Sequence, residues 1–334
     1  MKKALSIFFT LVIMIILTGC GKDNKEEVLK KFSKKINDTK GYQLEADMKL
    51  INNEDSYNYD LLVSYKKDDN FRVSLKNKAN NHEQVILKNS DGVYVITPSL
   101  NKSFKFQSKW PYNNSQSYIL QSIVSDLTKD SKLKMKKIKD GYILKSKVNY
   151  KNNAKLIYQE IVLDNNYIIK KATVYSENNV PQIVVNFKNV DMNAKFKKNY
   201  FSTDENITMS SKFETTENQI KPLEDAIYPM YLPKGTYLDL EKTVDIDGGS
   251  RIIMTFKGDQ SFMLVEEQAV KNDDSVIIPT SGDIDIVSDC IAIIDDSSIS
   301  WTSNNIDYYL TSNDLSKAEL LEVAKSISVM PITK

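Results

Sequence analysis

A period of two governs much of this chain and constrains its fold more than any other feature. Tyr42, Leu44, Ala46, Met48 and Leu50 alternate with Gln43, Glu45, Asp47 and Lys49. Tyr57, Tyr59, Leu61, Val63 and Tyr65 repeat the pattern, as do Phe71, Val73 and Leu75. Side chains on an extended chain point alternately to opposite faces, so each run makes a strand with one apolar side. Further short strands are expected at 82–88, 92–97, 102–107, 133–138, 141–148, 156–163, 167–175 and 182–190. Clusters of Asn, Asp, Gly and Ser between the runs are hairpin punctuation. One-sided alternation predicts an antiparallel sheet with a single covered face. Two stripes at helical spacing supply the cover: Val28, Leu29, Phe32 and Ile36 within 26–38, and Ile119, Leu120, Ile123, Val124 and Leu127 within 117–128. The predicted class is mainly β with helices (α+β), an antiparallel half-barrel covered by helices.

The pattern fades over 201–221, which reads as a polar linker without a clear period. A second, smaller α+β domain is expected over 222–334, with strands at 251–256, 261–268, 284–286, 292–294, 298–302 and 306–310. A closing helix over 317–327 follows Ser316, which forms a capping box with Glu319. Charge divides at the same place. Residues 20–212 hold 34 basic and 22 acidic side chains, net +12, whereas 213–334 hold 9 and 22, net −13. Two readings follow. The modules attract each other across the linker, or the basic one faces an anionic surface.

The N-terminus has the order of an export signal: Lys2 and Lys3, then an apolar run from Ala4 to Leu17, then Leu17-Thr18-Gly19-Cys20. The run is shorter than the roughly 20 residues a membrane span takes. Leu17–Cys20 resembles a bacterial lipobox, which implies a leader over 1–19, a tether over 20–25 and a diacylglycerol lipid on Cys20. Two acyl chains anchor stably where one does not. The remainder then lies on the extracytoplasmic face.

Composition narrows the chemistry. The 334 residues include one histidine, His82, and two cysteines, Cys20 and Cys290. That excludes a Cys/His zinc site and a disulfide framework. Arg72 and Arg251 are the only arginines, so bidentate anion clamps are scarce. His82 beside Glu83 points to the opposite strand face and reads as a surface histidine. Asp283 and Asp285, like Asp245 and Asp247, read as acidic solvated faces. Lys132, Lys134, Lys136, Lys137 and Lys139 read as the wet side of a strand. No catalytic residue, metal or nucleic-acid partner is expected.

The segment from Phe104, Phe106, Trp110 and Pro111 to Ser115-Gln116-Ser117-Tyr118, together with Val93–Phe104, resembles the YdcC-like sporulation lipoproteins. That family is similar to the germination lipoprotein GerS and to the wider LolA-like and RseB-like group. The resemblance implies an incomplete barrel closed by helices. Trp110, Pro111, Tyr118, Phe104 and Phe106 are read from the residues themselves as lining its cavity or lid, with simple core packing as the alternative. The resemblance also implies a non-enzymatic binding or assembly role in sporulation or germination, with a cell-wall amidase as protein partner. The alternative it leaves open is a carrier or sensor of acyl chains. The second module resembles an uncharacterised C-terminal domain of Gram-positive membrane-associated proteins. Unlike LolA, this chain carries a lipid-anchor motif and a second module.

Overall fold

The computed structural model describes residues 24–52, 55–211, 223, 225–246, 249–272 and 274–327. Cys20, the apolar run before it and residues 212–221 of the segment read as a linker lie outside the described residues, as does Asp247. No helix among the described residues is long and apolar enough to cross a membrane.

The first sheet is built from β1 (Gly41–Asn52), β2 (Asp55–Lys66), β3 (Asn70–Asn77), β4 (Glu83–Asn89), β5 (Gly92–Thr97), β6 (Lys102–Phe106), β7 (Lys134–Ile138), β8 (Gly141–Lys147), β9 (Leu156–Asp164), β10 (Ile169–Ser176) and β11 (Pro181–Asp191). The second contains β12 (Thr236–Ile246), β13 (Gly249–Gly258), β14 (Phe262–Gln268), β16 (Asp283–Val287), β17 (Cys290–Ile294), β18 (Ser298–Ser303) and β19 (Ile306–Thr311). The intervening strand β15 (Val276–Thr280) joins the first sheet, which therefore runs β15-β6-β5-β4-β3-β2-β1-β11-β10-β9-β8-β7. Its two edge strands do not meet, so the barrel is open.

The alternation of β1 and β2 is the alternation of burial. Tyr42, Leu44, Ala46, Met48, Tyr59, Leu61 and Val63 are all buried on the concave side. Helix α1 (Lys25–Asp38) lays Val28, Phe32 and Ile36 on that side, its first turn capped by Asn24 accepting from the Glu27 N–H at 2.8 Å. Helix α2 spans Leu120–Lys129 and starts three residues later than expected. The polar residues before it are spent elsewhere: Ser115 Oγ accepts from Asn149 N, and Asn113 Nδ2 donates to Asp283. Edge strand β7 exposes Lys134, Lys136 and Lys137, and charged side chains of this kind discourage further strand pairing.

The segment read as a linker is in part structured. Helix α3 (Thr203–Ser211) and the turn before it press Phe196, Tyr200, Phe201 and Ile207 against the outer side of β4 and β5. Arg72 anchors it, donating to Asn206 and lying over the Tyr200 ring. β4 and β5 are thus buried on both faces. Their runs Val85-Ile86-Leu87 and Val93-Tyr94-Val95-Ile96 do not alternate, as strands covered on both sides need not.

In the second module, helix α4 (Lys317–Lys325) has the expected capping box with Ser316 and Glu319. It buries Leu320, Leu321, Val323 and Ala324 against the seven-stranded sheet.

Candidate functional site

The concave face is closed by the second module. Hairpin β16–β17 is buried on both sides. Ile284, Ile291 and Ile293 join the core of the first sheet, while Val287, Cys290, Ala292 and Ile294 join the core of the second. Polar contacts fix the hairpin in place: Tyr59 Oη donates to Ser288 O at 2.9 Å, and Ile291 N donates to Gln84 Oε1 at 2.6 Å. At the sheet edge, Val276 N donates to Asn101 O at 2.9 Å and begins the parallel pairing of β15 with β6. Pro279 is tolerated there because β15 is an edge strand.

The charge step therefore contributes little to this contact. The described ion pairs between modules are Lys102–Asp307 at 3.0 Å and Lys155–Glu322 at 3.1 Å. Each is partly exposed, and such pairs contribute about 0–1 kcal/mol. Replacing both Lys102 and Lys155 with alanine is expected to shift the thermal midpoint only slightly at low salt and not at all at high salt. Calorimetry at two salt concentrations checks this, and a large loss would make docking electrostatic.

Among the described residues, two cavities lie at the junction. The first, about 120 Å³, is walled by Trp110, Tyr118, Tyr150, Tyr57, Asp285 and Lys325 among others. The second, about 200 Å³, lies between Phe104, Val95 and Gln84 on one side and Trp301, Tyr308 and Ile291 on the other. The residues expected at one cavity or lid are thus divided. Trp110, 1% exposed, and Tyr118 face the first cavity, Phe104 faces the second, and Phe106 is buried in the core. Pro111 is buried behind a cis bond to Trp110. The Trp110 ring meets Phe71 edge-on with centroids 5.9 Å apart.

His82 is a correction to the sequence reading. It is partly buried at the module junction, where its Nε2 atom is enclosed without a hydrogen-bond partner. Burial lowers its pKa, with Asp289 and Glu83 opposing. Asp289 is itself pushed up by burial, and the Ser303 hydroxyl donates to its carboxylate, lying 2.8 and 3.0 Å from the two oxygens. Glu83 turns away to accept from Ser74 Oγ at 2.6 Å, as the neighbouring residue on a strand does. Asp283 and Asp285 are likewise not a free acidic face: Asp283 is held by Asn113 at 2.8 Å, and Asp285 borders the first cavity. Among the described residues no group of three or more His, Cys, Asp or Glu side chains gathers as for a metal ion.

The model of the YdcC-like sporulation proteins matches residues 1–201. Sporulation protein YdcC of Bacillus subtilis is 33% identical over 328 residues, covering 98% of this chain and 97% of its own. The chain belongs to the YdcC-like sporulation protein family. Residues 226–327 match a domain of unknown function, DUF4367. Among solved structures, a LolA superfamily protein from Nitrosomonas europaea is similar at 13% identity over 54% of this chain and 97% of that one, with a TM-score of 0.32. The structure of the CwlD amidase from Clostridioides difficile in complex with the GerS lipoprotein is similar at 19% identity over 53% and 98%, with a TM-score of 0.23.

In this YdcC-like chain the junction holds residues that sequence reasoning did not place at a contact between modules. Gln84, Tyr59, Tyr150 and the hairpin isoleucines Ile284, Ile291 and Ile293 form the contact between the modules. A signal for the hairpin was present: Cys290-Ile291-Ala292-Ile293-Ile294 does not alternate and is buried throughout.

Proposed function

We propose that this YdcC-like protein is a lipid-anchored, extracytoplasmic binding and assembly factor in sporulation or germination, whose working partner is another protein. The observation that carries the reading is the filled concave face. Helices α1 and α2, Trp110 and hairpin β16–β17 occupy the space where an acyl chain would lie. The remaining cavities, about 120 and 200 Å³, are below the roughly 300–1,000 Å³ of sites that enclose drug-sized ligands. A carrier of acyl chains would first have to expel the hairpin and lose its apolar contacts with both cores. A cell-wall amidase is the partner class brought forward by the resemblance to GerS.

Native mass spectrometry of the full chain in detergent tests the choice between partner and carrier. A mass equal to the acylated polypeptide is expected, and a co-purifying lipid beyond the covalent one would turn the reading to a carrier. Co-purification from sporulating cells is expected to bring down a cell-wall amidase, and its absence would remove that partner class.

The anchor rests on the lipobox. Cys20→Ser is expected to move the protein from the membrane fraction to the soluble one. Retention of the variant in membranes after a high-salt wash would sink lipid anchoring at Cys20.

A further inference from the structure

The charge division between the modules is largely unspent in their own contact. Residues 20–212 carry net +12 and 213–334 net −13, yet the described ion pairs that cross the junction are Lys102–Asp307 and Lys155–Glu322. The strand edges carry the same division. Each sheet is open and has two edges. β16 is packed at the junction, and β15 contains Pro279, which withholds an N–H. β7 and β12 are the remaining edges among the described residues, and each offers backbone N–H and C=O groups to a further strand.

Around β7, residues 132–139 hold five lysines and no acid. Lys134 and Lys136 share one face of the strand, are exposed, and enter no ion pair among the described residues. β12 carries the opposite sign. It is exposed without a break from Tyr237 to Thr243, and Asp239, Glu241 and Asp245 stand against Lys242 alone. Asp239 is held by Lys257 at 2.9 Å, whereas Glu241 accepts from the Tyr228 hydroxyl, which leaves its charge uncompensated. Asp245 is exposed and enters no ion pair among the described residues.

Lysines keep a β7 edge from pairing with another β7, but they attract an acidic edge. We propose that β12 of one copy of this chain accepts β7 of a second copy, so that chains join head to tail through an antiparallel strand contact. Setting Lys136 opposite Glu241 brings Lys134 opposite Thr243, with Glu241 and Asp245 on its two diagonals. Opposite and diagonal neighbours share a face and interact across strands. Met135 and Lys137 then stand opposite Lys242 and Leu240, so no like charges are directly opposed. Each copy presents one edge of each sign, so the contact repeats from copy to copy. A contact limited to the five residues of β7 is small beside a stable protein interface, which makes the association weak and dependent on concentration and salt. The inference goes beyond the assembly role and holds whether or not another partner is an amidase.

The test is sedimentation velocity of the full chain in nonionic detergent, over a concentration series at low and at high salt. The sedimentation coefficient is expected to rise with concentration at low salt and to stay constant at high salt. Lys134→Glu with Lys136→Glu makes both edges acidic, and Glu241→Lys with Asp245→Lys makes both basic. Each double variant alone is expected to associate at least about tenfold more weakly than the parent. Mixed in equal amounts the two are expected to associate again, because each supplies the edge the other lacks. A parent chain that stays monomeric up to millimolar concentration at low salt overturns the proposal. Association of either folded double variant as strong as the parent's overturns it as well, and so does a mixture that fails to recover.

Discussion

Trp110→Ala is expected to destabilise the first module by about 3–5 kcal/mol, the usual cost of truncating a buried tryptophan. The upper part of that range is favoured by the surroundings. The indole is 1% exposed, meets Phe71 edge-on and forms one wall of the first cavity. Its removal merges the new void with space that is already there, and β3 on one side and the hairpin on the other resist collapse. The loss is expected to be felt first by α2, whose entry runs through Trp110 and Pro111. Denaturant unfolding measures the stability, and hydrogen exchange over Leu120–Lys129 locates the loosening. An unchanged midpoint with unchanged exchange would show that Trp110 does not anchor the helix.

Glu266→Gln is expected to stabilise the second module at pH 8 and to leave it nearly unchanged at pH 4. Glu266 on β14 is fully buried; Oε2 accepts from Ile227 N at 2.9 Å, and Oε1 has no partner. Burial pushes its carboxyl up to about 7 from an ordinary 4.5. A raised carboxyl pKa means that the folded state holds the proton more tightly than the unfolded state. Its contribution is therefore fully present below about 4.5 and is lost as pH rises through about 7. The gap corresponds to on the order of 3 kcal/mol at pH 8. Glutamine keeps an acceptor for Ile227 and never acquires the charge. Denaturant titrations of parent and variant at pH 4 and pH 8 test this as a difference, since Asp126, raised by burial to about 6, gives both proteins a slope of the same sign. Identical pH dependence in the two proteins would mean that Glu266 is not held neutral by the fold.

Much of the architecture was legible because it follows from local periodicity. The alternation through Tyr42–Leu50 and Tyr57–Tyr65 dictated which faces are covered, and the stripes of α1, α2 and α4 dictated what covers them. β12, β15 and α3 were not anticipated, each for its own reason. β12 is an edge strand whose apolar run Leu238, Leu240, Val244 and Ile246 stays largely exposed, so its period of two marks no buried face. β15 contains Pro279 and pairs with β6, more than 170 residues earlier in the chain. α3 spans Thr203–Ser211, where the sequence shows little apolar periodicity, and it is held by Arg72, Phe201 and Ile207 instead.

The site was legible only in its parts. Composition excluded zinc and disulfide chemistry, and the segment from Phe104 to Tyr118 pointed to the family. Which of those aromatics face a cavity and which fill the core was decided by the arrival of the second module. An alternating strand states that one face is buried, but not whether a helix, a ligand or a distant hairpin buries it. Cys290–Ile294 belongs to two cores at once, and His82, Asp283 and Asp285 changed from surface residues to junction residues for the same cause. The sequence by itself determined most strands of the two sheets and the helices that cap them, because these depend on the periodicity and order of near neighbours. The closure of the half-barrel by its own hairpin depended on contacts between residues some 200 positions apart, and only the tertiary structure brings those together.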